Sequence, residues 1–554
     1  MPARPRRVNL RRAGVTRIRR TWDASPEEVD ALLAPRDDIV AERVAPPDEA
    51  RTGAELAGAE LAGEFALAAG PFDDYRRTVR VAEAAPSGTR RRRVVEQIDY
   101  RLAVPWFGPV VNVLVRRALR RPPLRRPADG TQPAWAPPQR LDPRAATMFA
   151  AVAVVVMLAG FLSNAPSELH TYAADEFGSG HLSQGLLGAV VRVGSLFAIG
   201  AAVLADRHGR RRVLALAMAT GIAASLAAAL VPNLATLTAA LTVARTATSA
   251  LGAVAVVIAL EEMPDGCRAW SLSVLALAGA LGAGVVVWLQ PLADVAPWAW
   301  RLIFVVPLAA APLVPGVMRR LPETRRYRRR ARGVPLRSQW PRIALLGGVF
   351  FALGLFLGPL DWFRNEFLRD EHGFSAAQVT VFLLTTATPG GIGLWVAGRL
   401  SETRGRRPVA VAAATVGLGA AVLMFSVSGP ALWGLALAAA VVSSGLLPAL
   451  GVYRVELFPT AVRTAAGTIA GAMGVAGGSA GVLLAGWLRS SWGSFGPVMA
   501  VLWAGPLVAA VVVALWFREG GGRRLEQLNP VDADGTGTAG GGADGTGAAS
   551  GSPT

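Results

Sequence analysis

The sequence contains no lysine, one cysteine and four histidines among 554 residues. Without lysine there is no Gly-x-x-x-x-Gly-Lys phosphate cradle, so nothing supports an ATP-driven pump. Cys267, as a single cysteine, excludes an intramolecular disulfide and a cysteine-based zinc cluster. His170, His181, His208 and His372 are scattered without metal-ligand spacing, and no metal or cofactor is expected. Charge is scarce as well, at 17%, against about 25% in soluble domains. The Arg-rich start has no apolar core behind it, so no cleavable signal peptide is read. The net charge of +18 rests on arginine. A basic excess of that size suits nucleic acid, but a chain that is 52% hydrophobic and so poor in charge does not expose most of itself to water.

What is present is a series of long apolar runs. Six lie at 145–166, 182–204, 213–231, 236–260, 269–290 and 299–318. Six more lie at 343–362, 375–397, 408–427, 431–454, 465–487 and 495–517. About 20 residues of helix cross a ~30 Å hydrocarbon core, so the pattern predicts twelve membrane-spanning helices. The chain divides into an Arg-rich region (1–144), six spans (145–318), a linker (319–342), six spans (343–517) and a Gly/Ala/Asp/Thr tail (518–554) expected to be disordered. Arginines cluster on one side of the spans. Arg207, Arg210, Arg211, Arg212, Arg268, the ten linker arginines, Arg404, Arg406, Arg407 and Arg463 all fall there. By the positive-inside rule that side is cytoplasmic, which puts both termini inside an inner (plasma) membrane. Arg364, Arg369 and Arg489 are exceptions on the opposite side.

The two halves repeat. Asp175-Glu176-Phe177-Gly178 returns as Asp370-Glu371-His372-Gly373, at an offset of 195. Asp206-Arg207-His208-Gly209-Arg210-Arg211 returns as Glu402-Thr403-Arg404-Gly405-Arg406-Arg407. Glu261-x-x-Pro264-x-x-x-Arg268 returns as Glu456-x-x-Pro459-x-x-x-Arg463. Three registers that agree within one residue predict two homologous six-helix bundles. Gly209 and Gly405 permit a positive φ in a short turn, and Asp206 and Glu402 are placed to pair with arginines or a helix N-terminus.

Leu204-Ala205-Asp206-Arg207-His208-Gly209-Arg210-Arg211 and its copy Gly398–Arg407 resemble the signature loop of the major facilitator superfamily. The family pattern usually opens with Gly, where the first copy has Ala202. Tyr453–Arg463 resembles the motif after helix 10 of sugar-porter-like and metabolite–proton-symporter members. Pro322-Glu323-Thr324-Arg325-Arg326 resembles their motif after helix 6. The resemblance covers 145–517. It implies an all-α membrane protein of two pseudo-symmetric bundles and a monomeric secondary transporter rather than an enzyme. It also implies a cytoplasmic gate of Asp206, Arg207, Gly209, Arg210, Arg211, Glu261, Arg268, Glu402, Gly405, Arg406, Glu456 and Arg463 that latches the bundles in the outward-open state.

Ionisable residues inside apolar spans point to the transport path, because each costs at least about 2.5–3.5 kcal/mol at the bilayer centre. Arg192 and Arg245 are two such residues, and both are read as attracting an anionic substrate. Asn164, Gln290, Thr385, Thr388 and Ser443 are further polar substrate-binding candidates. Helix 1 carries no carboxylate over Met148–Ser163, so the proton-coupling candidates are acids at helix ends: Glu168 after helix 1, and Asp361 and Glu366 after helix 7. Glu168 is the expected partner of Arg245. Pro389-Gly390-Gly391 and Pro448 are expected to loosen helices 8 and 10. The favoured function is proton-coupled symport of a polar metabolite, with organic anions among the candidates. The alternatives are drug or metabolite efflux, against which Ala278–Gly284 lacks the usual proline, and a transport-inactive receptor.

The region 1–144 is read as a small cytoplasmic α/β element or a partly ordered region. A helix starts at Ser25-Pro26-Glu27-Glu28, and strands at Tyr75–Ala82 and Arg92–Val104 join through Pro86-Ser87-Gly88. Trp106–Arg126 sets apolar residues beside Arg116, Arg117, Arg120, Arg121, Arg125 and Arg126. That suits an interfacial segment drawn to anionic lipid, and no nucleic-acid partner is expected.

Overall fold

The computed structural model describes residues 15–46, 59–82, 91–120, 133, 135–137, 139–197, 200, 209–264, 267–321, 336–458 and 463–517. The chain opens with a five-stranded antiparallel sheet in the order β1-β5-β4-β3-β2. The strands are β1 (Thr16–Ala24), β2 (Ala41–Val44), β3 (Ala59–Ala69), β4 (Phe72–Ala82) and β5 (Arg92–Leu102). Helices α1 (Pro26–Leu32) and α2 (Gly108–Leu119) pack Val29, Leu32, Val115 and Leu119 onto the face that carries Phe65, Phe72, Val79 and Ile98. The Ser25 side chain accepts from the Glu28 amide while Glu28 bonds back to the Ser25 amide, closing a capping box. Both predicted strands are present as β4 and β5, while the Pro86–Gly88 join lies outside the described residues. The sequence reading missed β1, β2 and β3. β3, Ala-Glu-Leu-Ala-Gly-Glu-Phe-Ala-Leu-Ala-Ala, is built of residues that favour helix, and it is a strand because β4 pairs with it over Ala59–Ala66 and β2 over its C-terminal end.

A polar knot closes this sheet. The Glu42 carboxylate accepts from Arg77 Nη2 at 2.6 Å and from the Tyr75 hydroxyl at 2.6 Å. Arg77 also donates to the Leu32 carbonyl at 2.7 Å, and both ion-paired side chains are fully buried. Burial and the adjacent Glu42 raise the Tyr75 hydroxyl well above its usual range. Beyond β5, Trp106 takes a left-handed backbone (φ 64°), and the Arg320 guanidinium lies 5.0 Å over its ring. Thr147 Oγ1 donates to the Ala103 carbonyl at 2.9 Å, and Arg140 Nε to that of Asp38 at 2.7 Å. These bonds tie the sheet to the helices that follow.

Among the described residues, ten helices are long and apolar enough to cross a membrane. They fall where spans 1, 3, 4, 5, 7, 8, 9, 10, 11 and 12 are predicted. Span 6 is a bent pair, Trp300–Ala310 and Leu313–Arg320, at 43°; Pro307 and Pro312 lie at the bend and remove helix donors. The predicted span 2 contains a helix over His181–Val193 and a 3-10 turn over Gly194–Phe197. Span 8 breaks between Thr386 and Gly390, and span 10 between Ser443 and Leu446. Pro389 and Pro448 leave the carbonyls of Thr385 and Ser444 without their usual i+4 donors. The repeat is also visible in the backbone. Gly178 and Gly373 have φ 61° and 66°, and Gly209 and Gly405 have φ 96° and 97°, so equivalent glycines make equivalent left-handed turns.

Two predicted boundaries need correction. Span 1 continues to Glu176 and span 7 to Asp370. Glu168, Asp361 and Glu366 therefore lie inside helices, not in loops beyond them. Pro166 and Pro359 are accommodated within these helices; all three acids meet partners on other helices, and Glu168 and Glu366 are buried there while Asp361 stays part-accessible.

Candidate functional site

At 1.5 Å per residue, Arg192 lies about 16 Å along span 2 from His181, and Asp361 about 13 Å from the Asp370 end of span 7. Both therefore sit near mid-depth. Arg192 Nη2 donates to Asp361 Oδ2 at 3.1 Å and to the Gly358 carbonyl at 3.1 Å. The Trp362 ring lies 5.8 Å from the guanidinium. Ser167 Oγ donates to the same Asp361 oxygen at 3.0 Å. Asp361 thus receives bonds from spans 1 and 2, across the line between the halves. Its side chain keeps 47% of its accessible surface although its helix is central, whereas Arg192 keeps 17%. Such exposure at mid-depth marks a space large enough to admit solvent.

Arg245 is held differently. Its Nε donates to Ser195 Oγ at 2.9 Å, and its Nη1 reaches the Ser163 carbonyl and hydroxyl at 3.3 and 2.5 Å. The expected Glu168–Arg245 pair is absent. Glu168 instead accepts from Arg364 Nη2 at 2.7 Å and Asn365 Nδ2 at 2.6 Å. Gln290, fully buried, donates to the Glu168 carboxylate and carbonyl at 3.3 Å each. The reason is the continuation of span 7, which carries Arg364 and Asn365 to Glu168. Asn164 Nδ2 reaches the Ala283 carbonyl at 3.5 Å. Thr385 returns its hydroxyl to the Val381 carbonyl at 2.7 Å. Thr388 and Ser443 lie at the breaks of spans 8 and 10. Among the described residues, no hydrogen bond joins these four to Arg192 or Arg245.

The end opposite Gly209 and Gly405 is closed by charge. Arg364–Glu168 and Arg369–Asp175, at 2.7 Å each, join span 7 to span 1. His181 on span 2 contacts Glu366 on span 7. Asp294, after span 5, accepts from the Ala376 and Ala377 amides at 2.8 and 3.0 Å and so caps span 8. Arg489 pairs with Glu371 at 3.5 Å. The three arginines that broke the one-sided pattern each have an acid, which offsets the cost of placing them there. His170 stacks on Trp362 at 4.2 Å, fully buried behind this seal. Ser163, Ser167, Ser195 and Trp362 were not anticipated, since small polar and aromatic residues in an apolar run give no pattern of their own.

The predicted gate is less fully described. Gly209 and Gly405 make the left-handed turns, and Arg210, Arg211 and Arg406 begin the helices that follow. Asp206 and Arg207 lie outside the described residues, as do the side chains of Glu261, Arg268, Glu402, Glu456 and Arg463.

No protein-family model and no curated protein matches the chain. Solved structures do resemble it. A bacterial homologue of the human lysosomal transporter Spinster, inward-facing and unoccupied, superposes with a TM-score of 0.58 at 16% identity, covering 70% of this chain and 98% of that one. The nucleoside transporter NupG gives 0.56 at 14% identity, covering 67% and 99%. The xylose transporter XylE from E. coli, inward open, gives 0.54 at 17% identity, covering 70% and 99%. The chain is a multi-pass membrane protein with the fold of major facilitator superfamily transporters. It carries an additional five-stranded sheet at its N-terminal side.

Proposed function

We propose that the chain is a secondary transporter working by alternating access, and that Arg192 and Asp361 form its proton-sensitive substrate switch. The observation that supports this is their ion pair at mid-depth between the halves, with Asp361 half-accessible. In the present arrangement Asp361 occupies Arg192. A proton taken up by Asp361 removes its negative charge and frees the guanidinium. An anionic metabolite then takes the vacated position, with Arg245 on span 4 adding a second positive charge nearby. Loss of the proton on the other side lets Asp361 recapture Arg192 and displace the anion. Proton and anion thus travel together, as symport requires.

The sealed end faces outward in this reading, so the structure is the inward-facing member of the cycle. The termini, the Gly209 and Gly405 loops and the predicted latch are cytoplasmic, in a plasma membrane, and the latch is the contact that replaces the seal when the molecule opens outward. Glu168 and Glu366 serve the seal in this account and leave the coupling proton to Asp361. The domains keep the sequence boundaries at 144, 318, 342 and 517. Helix α2 is an interfacial anchor. Val110 and Val113 are 70% and 66% exposed, and Arg116, Arg117 and Arg120 at its end suit an anionic leaflet.

A thermal-shift screen of organic acids, sugars and nucleosides on the purified protein tests the switch. The account expects an organic acid to stabilise the wild type and to lose that effect in Arg192→Ala. It expects Asp361→Asn to bind the same acid with its pH dependence removed. A stabilising acid whose effect is unchanged by Arg192→Ala overturns the assignment.

A further inference from the structure

We infer that His181, Glu366 and Asp370 form a divalent-cation site, suited to Zn2+, that clamps the two halves together at their sealed end. His181 opens span 2, while Glu366 and Asp370 lie one turn apart near the end of span 7. One ligand atom from each lies within 4.8 Å of the others. Three donors around one Zn2+, at ~2.0–2.2 Å each, come within roughly 4.4 Å of one another. A change of rotamer at Asp370, which is exposed at the helix end, closes the difference.

The donor set is chemically suitable. An imidazole nitrogen and two carboxylates offer borderline and hard ligands with a charge near −2, which fits Zn2+. Mg2+ is a poorer fit, since it prefers six oxygens. Glu366 supplies the second, independent sign. Its side chain is fully buried, its Oε1 meets His181 Nδ1, and its Oε2 has no hydrogen-bond partner. A carboxylate oxygen left that way costs free energy unless a proton or cation satisfies it. Arg489 also acts on Glu366 through its charge, but its guanidinium pairs with Glu371 at 3.5 Å and lies 4.7 Å over the Phe495 ring, and its Nε has no hydrogen-bond partner. His181 is 29% accessible and Asp370 is exposed, so a metal has an entry path from outside the fold.

Spacing in the sequence could not reveal this site, because His181 and Glu366 are 185 residues apart. The consequence follows from geometry. Ligands come from both halves, so the cation binds this closed arrangement better than one in which spans 2 and 7 part, and it shifts the population toward closure. That consequence rests on the alternating-access reading, whereas the site itself does not.

The test uses full-length, tag-free, metal-stripped protein with Zn2+ or Mg2+ as the probe, read by calorimetry and by thermal shift. The inference expects one Zn2+ per chain, a raised Tm, and no comparable effect of Mg2+. His181→Gln and Asp370→Asn should each weaken Zn2+ binding by about tenfold or more. Asp370 is exposed, so its variant decides the matter even where the His181 variant folds poorly. Absence of Zn2+ binding by the wild type, or binding unchanged in Asp370→Asn, overturns the inference. The Arg192-dependent effect of organic acids is read separately, so each proposal can fail alone.

Discussion

Arg192 was legible as soon as its surroundings were read, because a charge within an apolar run demands a partner or a function. Its partner was not. Asp361 stands at the end of the predicted span 7 (343–362), and nothing in the sequence tells which helix it faces. The helix runs through Pro359 and carries Asp361 to mid-depth. The same continuation supplies Arg364 to Glu168, which replaces the expected Glu168–Arg245 pair. Pairings between helices depend on rotation about each axis, and a linear sequence fixes that only loosely. The sheet shows the same limit. Nothing in the sequence announced that Glu42 and Arg77 meet, yet both are fully buried. Breaking an isolated buried pair costs about 3–5 kcal/mol; here Arg77 keeps the buried Glu96 at 3.6 Å, so the loss of Glu42 is partly compensated and costs less. Glu42→Ala should therefore unfold the N-terminal sheet at lower urea concentration, as read by amide hydrogen exchange across β4 and β5. An unchanged midpoint would show that Arg77 finds another acid at no cost.

Among the elements, the membrane helices were the most legible, since length and apolarity alone select them. Their breaks were legible where proline causes them, at Pro389 and Pro448. Their contacts follow from small residues. A Cβ at Gly282 on span 5 would collide with the Met157 carbonyl of span 1. In the second half, Gly477 and Gly481 on span 11 meet the Phe351 and Leu355 carbonyls of span 7. Backbones approach this closely only through glycine. Gly477→Val should separate spans 7 and 11 and lower Tm and monodisperse yield sharply. Gly252→Ala, at a helical position where a Cβ meets nothing within 4 Å, should leave Tm unchanged or raise it, by about 0.5–1 kcal/mol of helix propensity. Equal losses in both variants would mean that the glycines do not act through close packing. The strands were the least legible elements, because the Ala- and Glu-rich composition of β3 favours helix until β4 pairs with it.

For the whole molecule, the repeat did most of the predictive work. Motif copies at offsets of 195 and 196 implied two related bundles, and the paired left-handed turns at Gly178/Gly373 and Gly209/Gly405 bear this out. The seal between the bundles was not foreseen. Its arginines looked like exceptions to the charge pattern until their acids were located on the facing helices. In the proposed cycle this seal and the Arg192–Asp361 link hold one end closed while the other admits solute. The most direct test measures both ends together, without needing the substrate. Spin labels go on Ser179→Cys/Gln378→Cys at the sealed end and on Arg212→Cys/Arg404→Cys at the other, each in a Cys267→Ser background, with distances read by pulsed electron resonance in lipid. The account predicts that Asp361→Asn shifts the populations by about tenfold, equivalent to roughly 1.4 kcal/mol. The Ser179–Gln378 distance lengthens while the Arg212–Arg404 distance shortens. Two distributions that stay unchanged, or that move in the same direction, would contradict it.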